Sequence, residues 1–277
     1  MKQFRKMTYP YVIWISVMIV IPMLLIIFYA FTKQGNSDIQ FRFTLENFVR
    51  FISDPVFLNV LGRSFRVAFI TTIVCLMIGY PAAYYIAKCS EGTKMRWILI
   101  ITFPTWINML VRTYAWIGIL QDNGLINALL GVFGIGSVSM LHTEFAVILG
   151  MVYNFMPFMI LQIYSSLSKL DKNLIDAAQD LGANRFKCFS KIIFPLSFPG
   201  VISGITLVFL PAVSSFYIPK LLGGGQFVLV GNVIESQFLT SGDWNFGSAI
   251  SLIMAVIIVI SMYVTKKMDT ADESKRG

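Results

Sequence analysis

Charge, histidine and cysteine are all scarce in this sequence. Only 13% of its 277 residues are Asp, Glu, Lys or Arg, while 56% are hydrophobic, and a water-soluble domain carries about twice that charge. An ordinary soluble enzyme is thereby excluded. Cys75, Cys89 and Cys188 form an odd set without metal-ligand spacing, so neither a disulfide framework nor a zinc site is expected. His142, the one histidine, has no obvious nucleophile or metal partner. No GxxxxGKS or GxxxxGKT run exists, which excludes P-loop nucleotide binding, and HExxH and GxSxG are missing too.

Long apolar runs are what the chain has in abundance. A helix crosses the roughly 30 Å hydrocarbon core with about 20 apolar residues, and six runs qualify: 11–31, 67–87, 97–120, 145–165, 197–218 and 246–265. The expected fold is an all-α bundle of six transmembrane helices forming a single domain, 1–277. The first run follows MKQFRK but is about twice as long as a signal-peptide core and lacks a small-x-small cleavage site, so it reads as a retained span. None of the six runs contains Asp or Glu, the residues that relay protons or ligate sodium in secondary transporters. That weakens the reading of a transporter or channel acting alone, and the absence of paired intramembrane carboxylates weakens that of an embedded enzyme.

Basic residues set the orientation. With alternating spans, 15 of the 22 Lys and Arg fall on one side, among them Lys2, Arg5, Lys6, Lys88, Lys94, Arg96, Lys266, Lys267, Lys275 and Arg276. Both termini are therefore expected in the cytoplasm. An external loop at 32–66 carries Phe48, Phe51 and Ile52 at helical spacing beside Arg50, which fits either an interfacial helix or a direct lead into the second span. A second external loop, 219–245, holds the glycine-rich LLGGGQ and SGDWNFG.

The cytoplasmic loop at 166–196 is the informative segment. Leu174, Ala177, Ala178 and Leu181 share one stripe of a short helix, with Asn173 as its expected N-cap and Gly182 as its left-handed end. A helix of about ten residues is too short to stand alone in water and needs a surface to lie on. A second stripe places Phe186, Phe189 and Ile193 opposite Arg185, Lys187 and Lys191, and Pro195 and Pro199 are expected to break or kink the chain as it re-enters the membrane. Helix, glycine turn and basic helix also imitate a DNA-binding helix-turn-helix. Tethering to the membrane at both ends and the lack of any complete DNA-binding domain exclude nucleic acid as the partner.

Asp176-Ala177-Ala178, Gly182, Ile192 and Phe194-Pro195 together resemble the EAA loop of bacterial ABC importer permeases. That family pattern runs Glu-Ala-Ala, three residues, Gly, nine residues, Ile, any residue, Leu-Pro. Asp for Glu and Phe for Leu are departures here, and the shorter Asp176 carboxylate implies re-spaced contacts. IGYPAAYYIAK, YSSLSKLDKNLIDAAQDLGA, PAVSSFYIPKLLGGG, GNVIESQFL and DWNFGSA extend the similarity over nearly the whole chain, toward permeases of spermidine/putrescine importers.

The resemblance implies a type I importer permease fold in a bacterial inner membrane, in contact with lipid. It also implies a coupling helix of Leu174, Asp176, Ala177, Ala178, Leu181 and Gly182 seated on an ATPase dimer. That dimer would hold the ATP and magnesium, this chain having no cofactor of its own. A second, similar permease chain and an external or periplasmic substrate-binding protein complete the assembly. For a polyamine path, the more polar spans offer Trp106, Asn108, Arg112 and Tyr114, which follow Pro104. A mid-bilayer arginine costs about 2.5–3.5 kcal/mol on insertion scales and so should face protein or water, or snorkel out. Phe216 and Tyr217 offer aromatic faces for an ammonium group, and Asp122, Glu144, Glu235 and Asp243 place negative charge outside, where it draws cations.

Overall fold

A computed structural model describes residues 2–33 and 42–273. Among these the fold is all-α apart from one isolated bridge, Thr32 to Phe43. The part of the expected first loop at 34–41, and the basic residues Lys275 and Arg276, lie outside the described residues.

Five helices are long and apolar enough to cross a membrane: Thr8–Ala30 (α1), Pro55–Lys88 (α3), Glu144–Leu167 (α7), Arg185–Ser214 (α9) and the Trp244–Tyr263 part of Trp244–Glu273 (α12). A broken pair, Glu91–Trp106 and Met109–Val132, is bent by 92° and makes a sixth crossing if the two parts count as one span. Its parts are Glu91–Thr102 (α4), Met109–Leu120 (α5) and Leu125–Val132 (α6). The single span expected at 97–120 is thus corrected to two helices. Pro104 sits in a tight 3-10 turn, Phe103–Trp106, and the backbone at Ile107 is extended, so the kink expected of the proline has become a full break.

The second span begins 12 residues earlier than the apolar run suggests, at Pro55 rather than 67. The Asp54 carboxylate accepts the Val56 N–H at 2.8 Å, and Pro55 stands in the first turn, where no donor is needed. The expected loop 32–66 therefore contains a separate short helix, Glu46–Ser53 (α2), and the outer end of α3. Phe51 turns inward and is buried, whereas Ile52 is exposed, so those two residues do not share a face.

The core is built where α3, α7 and α9 pack side by side. With lipid tails as solvent, helices associate through close fit rather than hydrophobic expulsion, which favours small residues at the contact. A Cβ added at Gly200 would stand 2.5 Å from Ser166 Cβ and 2.7 Å from the Gln162 carbonyl oxygen, so the α7 and α9 backbones meet there. The Tyr80 and Ser197 hydroxyls bond across α3 and α9 at 2.8 Å. α1 stands outside this core, lying along α12 through its outer half. Asn245 joins the two by donating to the Tyr29 and Thr32 carbonyls at 3.0 and 2.8 Å.

α9 also departs from expectation. Pro195 and Pro199 do not break it, and the helix runs without interruption from Arg185 to Ser214. A π-helical turn, Phe189–Ile193, precedes Pro195 and widens the backbone ladder where the ring would strike the carbonyl four residues back. The break falls instead at Ser215, after which Tyr217–Leu222 (α10) begins. The fifth span thus ends earlier than 218.

Candidate coupling face and translocation pathway

The loop at 166–196 folds as expected in outline. Its first helix is Lys172–Asp180 (α8), and Asp171, not Asn173, caps it by accepting the Asn173 N–H at 2.9 Å. The residue two positions earlier wins because its carboxylate reaches the free N–H groups of the first turn. Ile175 packs against the core. Leu174 is 50% and Leu181 89% exposed, Ala177 is exposed and Ala178 half-buried. The apolar stripe thus looks away from the bundle.

Gly182 ends this helix with φ +83°. Its N–H donates to the Gln179 carbonyl at 2.8 Å, and the Ala183 N–H donates to the Ala178 carbonyl at 2.9 Å. This double bond pattern is the Schellman motif, which satisfies the last carbonyls and fixes the exit direction of the chain. Asn184 then caps α9 by accepting the Lys187 N–H at 2.8 Å. Ile193 is buried and Phe189 stacks edge-on against Tyr80 and Tyr84 at 5.8 and 5.7 Å. Phe186, expected on the same stripe, is 75% exposed. The intervening π-turn rotates Ile193 onto the core and leaves Phe186 on the free end of the helix.

Asp176 stands apart from the stripe, about 160° round the helix from Leu174 at 3.6 residues per turn. It lines a cavity of about 260 Å³ with Lys88, Lys94, Tyr84 and Ser168, between α8 and the C-terminal ends of α3 and α7.

Among the described residues, no side-chain hydrogen bond or ring contact joins the expected pathway residues of the third span to one another. Trp106 and Tyr114 are 73% and 59% exposed. Asn108 caps α5, its side-chain oxygen accepting the Leu110 N–H at 2.8 Å, so its polarity serves the helix end at the break. Arg112 places its guanidinium 6.0 Å from the Tyr153 ring centre, and Tyr153 meets Trp116 edge-on at 5.5 Å. The Nε and Nη1 atoms of Arg112 are buried and have no hydrogen-bond acceptor among the described residues. Nearby, a groove of about 610 Å³ is lined by apolar residues including Ile70, Val74, Ile101, Trp116, Met156 and Ile160. Ammonium groups would lose hydration there without gaining acceptors, so that groove is not a polycation path.

Beyond the Ser215 break, Phe216 and Tyr217 come together, and Glu235 joins their helix through Lys220. The Phe216 and Tyr217 rings lie 4.0 Å apart at 34°, and Asn232 on Val230–Ser236 (α11) donates to the Phe216 carbonyl at 2.8 Å. Glu235 on α11 forms an ion pair with Lys220 on α10. Asp243 pairs with Arg50 at 2.9 Å and accepts the Phe246 N–H at 3.0 Å, while Arg50 lies 4.0 Å over the Phe246 ring. Glu144 pairs with Arg66. Of the four carboxylates expected to draw cations, Asp122 alone forms no ion pair among the described residues. The field of these carboxylates is thereby weaker than the sequence count implies, because each adjacent cation offsets it and salt screens the remainder beyond a Debye length of about 8 Å. His142 adopts φ +65° and its ring closes over Gly224, a packing role in the glycine-rich loop.

Asp243 serves both as helix cap and as ion-pair partner, and the two roles are separable. Asp243→Ala is expected to cost about 1 kcal/mol or more through loss of the cap, whereas Asp243→Asn keeps a capping oxygen and loses only a half-exposed pair worth under about 1 kcal/mol. Thermal unfolding in detergent checks this, and a larger drop for Asp243→Asn than for Asp243→Ala would refute it.

Among the described residues, no group of three or more His, Cys, Asp or Glu could hold a metal ion.

Residues 1–270 match the family described as binding-protein-dependent transport system inner membrane component. The chain belongs to this family. It is 40% identical over 266 residues, 95% of its own length and 93% of the relative's, to the spermidine/putrescine transport system permease protein PotB of Haemophilus influenzae. It is 39% identical to the PotB protein of Escherichia coli K12, with 91% and 92% of the two chains covered. Among solved structures, a bacterial alginate ABC transporter in complex with its alginate-bound periplasmic protein contains a chain with TM-score 0.80 and 16% identity, covering 96% of this chain and 93% of that one. The agreement at such low identity shows a shared fold and confirms the importer permease architecture expected from the EAA-like loop.

Sequence reasoning missed Tyr153, Lys220, Arg50 and the exposure of Phe186. Nothing local marks Arg50 or Lys220, and only the fold shows which carboxylates they meet. Tyr153 could have been noticed as one of the few polar-tipped residues of the fourth run, beside Asn154.

Proposed function

We propose that the chain is the membrane-spanning permease subunit of an ABC importer for polyamines and forms half of the translocation path. It is coupled to a separate ATPase through Leu174, Ala177, Ala178, Leu181 and Gly182. The observation that carries this reading is the uncovered apolar stripe of α8, anchored behind by Ile175 and ended by the rigid Gly182 turn. A nine-residue helix kept in that form with its apolar side toward solvent has a use only if a partner covers it. The polyamine assignment rests on the names of the PotB relatives.

In this assignment both termini and the 166–196 loop face the cytoplasm of a bacterial inner membrane. A second, homologous permease chain completes the path, and a periplasmic substrate-binding protein delivers the cargo. ATP and magnesium belong to the ATPase dimer. Closure of that dimer pushes α8, and the Gly182 turn passes the displacement into α9, which is continuous to Ser214 and packed on α3 and α7. Nucleotide thereby biases a two-state equilibrium between inward-open and outward-open arrangements. At the outer end, the Phe216 and Tyr217 ring faces are the groups suited to an ammonium, and Glu235 joins them only by exchanging its Lys220 partner for the cargo. Trp106, Asn108, Arg112, Tyr114 and Asp243 serve the structure or lie outside that cluster.

The test is uptake by the complete transporter in vesicles. Accumulation is expected to require ATP and the ATPase subunit, and labelled spermidine is expected to be displaced by spermidine or putrescine in a panel of solutes. ATP-independent uptake would overturn the permease reading. Failure of polyamines to compete would overturn the substrate alone.

A further inference from the structure

Phe186 is the feature that the coupling stripe leaves unexplained. It is 75% exposed, a few residues beyond Leu181 at 89%, and the chain between them is held by the Gly182, Ala183 and Asn184 hydrogen bonds. The backbone positions that carry the two side chains therefore keep a fixed relation. Arg185 and Lys187 flank Phe186, and both are exposed.

Length places this end of α9 outside the lipid. Its 30 residues span about 45 Å at 1.5 Å per residue, against about 30 Å of hydrocarbon. A tilt of about 20° removes only about 3 Å of the difference. With the outer end at the Ser215 break, roughly 12 Å projects on the cytoplasmic side. Lys191, six residues in, then lies near the headgroups, where its exposed ammonium suits lipid phosphate. Phe186 stands beyond that level, so a bare aromatic ring there suits a protein cleft better than a bilayer.

We infer that Phe186 is a second anchor of the ATPase contact, so that the docking surface extends past the Gly182 bend instead of ending at Leu181. The partner surface that fits has an apolar cleft receiving Leu181 and Phe186, with an acidic edge facing Arg185 and Lys187. This inference rests on the docking reading of α8 and deepens it. Two anchors on either side of a hydrogen-bonded turn resist rotation, which a single stripe on one short helix does not.

The experiment uses the complete transporter in membranes, with the photoreactive residue benzoylphenylalanine introduced at Leu181 or at Phe186. Irradiation is expected to attach both positions to the ATPase. Attachment from position 181 but only to lipid, or to nothing, from 186 would overturn the inference and leave the docking reading intact. Attachment from neither would overturn both. In parallel, Phe186→Ala is expected to lower the ATPase retained on purification about tenfold, as loss of a central interface aromatic does, while Phe186→Trp stays within about threefold. Equal retention by wild type and Phe186→Ala refutes the anchor.

Discussion

Gly182→Val is expected to leave the permease in the membrane while stripping most of the ATPase from it, and Gly182→Asn to retain most of the coupling. The contrast follows from backbone conformation. Gly182 holds φ +83°, and a Cβ there would meet nothing within 4 Å, so crowding is not the issue. An L-residue in the left-handed region costs roughly 1–2 kcal/mol, more for a β-branched one, whereas Asn enters it comparatively easily. Valine relieves that strain by leaving the region, and the bonds from Gly182 to Gln179 and from Ala183 to Ala178 break with it. The nine-residue helix then loses its fixed exit and frays. ATPase co-purification and ATP-driven uptake read the outcome. An equal loss in both variants would show that surface bulk at position 182, not the turn, governs docking. Ala178→Arg, on the stripe itself, should uncouple as well, by setting a long cation where a partner backbone comes close.

The second large effect belongs to the bundle. Gly200→Leu is expected to abolish recovery of monodisperse protein, because its side chain would enter the space held by the Gln162 carbonyl and Ser166. No rotamer of leucine avoids a backbone contact, so α7 and α9 must separate. Overpacking of this kind costs about 3 kcal/mol or more. Gly62, on the exposed side of α3 with nothing within 4 Å of a Cβ, is the control. Gly62→Ala should be neutral or mildly stabilising, by up to about 1 kcal/mol of helix propensity. Gel-filtration recovery and thermal unfolding measure both, and a well-behaved Gly200→Leu would contradict the close approach.

Hydrophobic run length was enough to find the five long apolar helices, the apolar run of the broken pair and the loop stripe, since all depend on one-dimensional patterns. Boundaries were less legible. Asp54-Pro55 looks like loop punctuation but starts a helix, and Pro195 looks like a breaker but follows a widened turn. Phe186 lies ahead of that widened turn, and its exposure follows from its place in the first turn of α9, at the free end of the helix. Asn108 and Arg112 share a face by spacing, yet a single amide can cap a helix end as readily as line a path, and only the break at Ile107 decides. The pairing of Arg50 with Asp243 joins residues 193 positions apart and leaves no trace in local pattern. Charges read as a field in the sequence become neutral pairs in the fold.

The unbroken length of α9 sets an amplification. A stiff rod of about 45 Å that tilts by about 10° at its driven end sweeps its far end through about 8 Å. That is wider than a polyamine backbone in cross-section. In the proposed mechanism, a small rotation imposed at Gly182 carries the Ser215 break, and with it the Phe216 and Tyr217 rings, through a displacement of that size. The π-turn before Pro195 keeps the helix continuous there, so the driven end and the far end stay on one element.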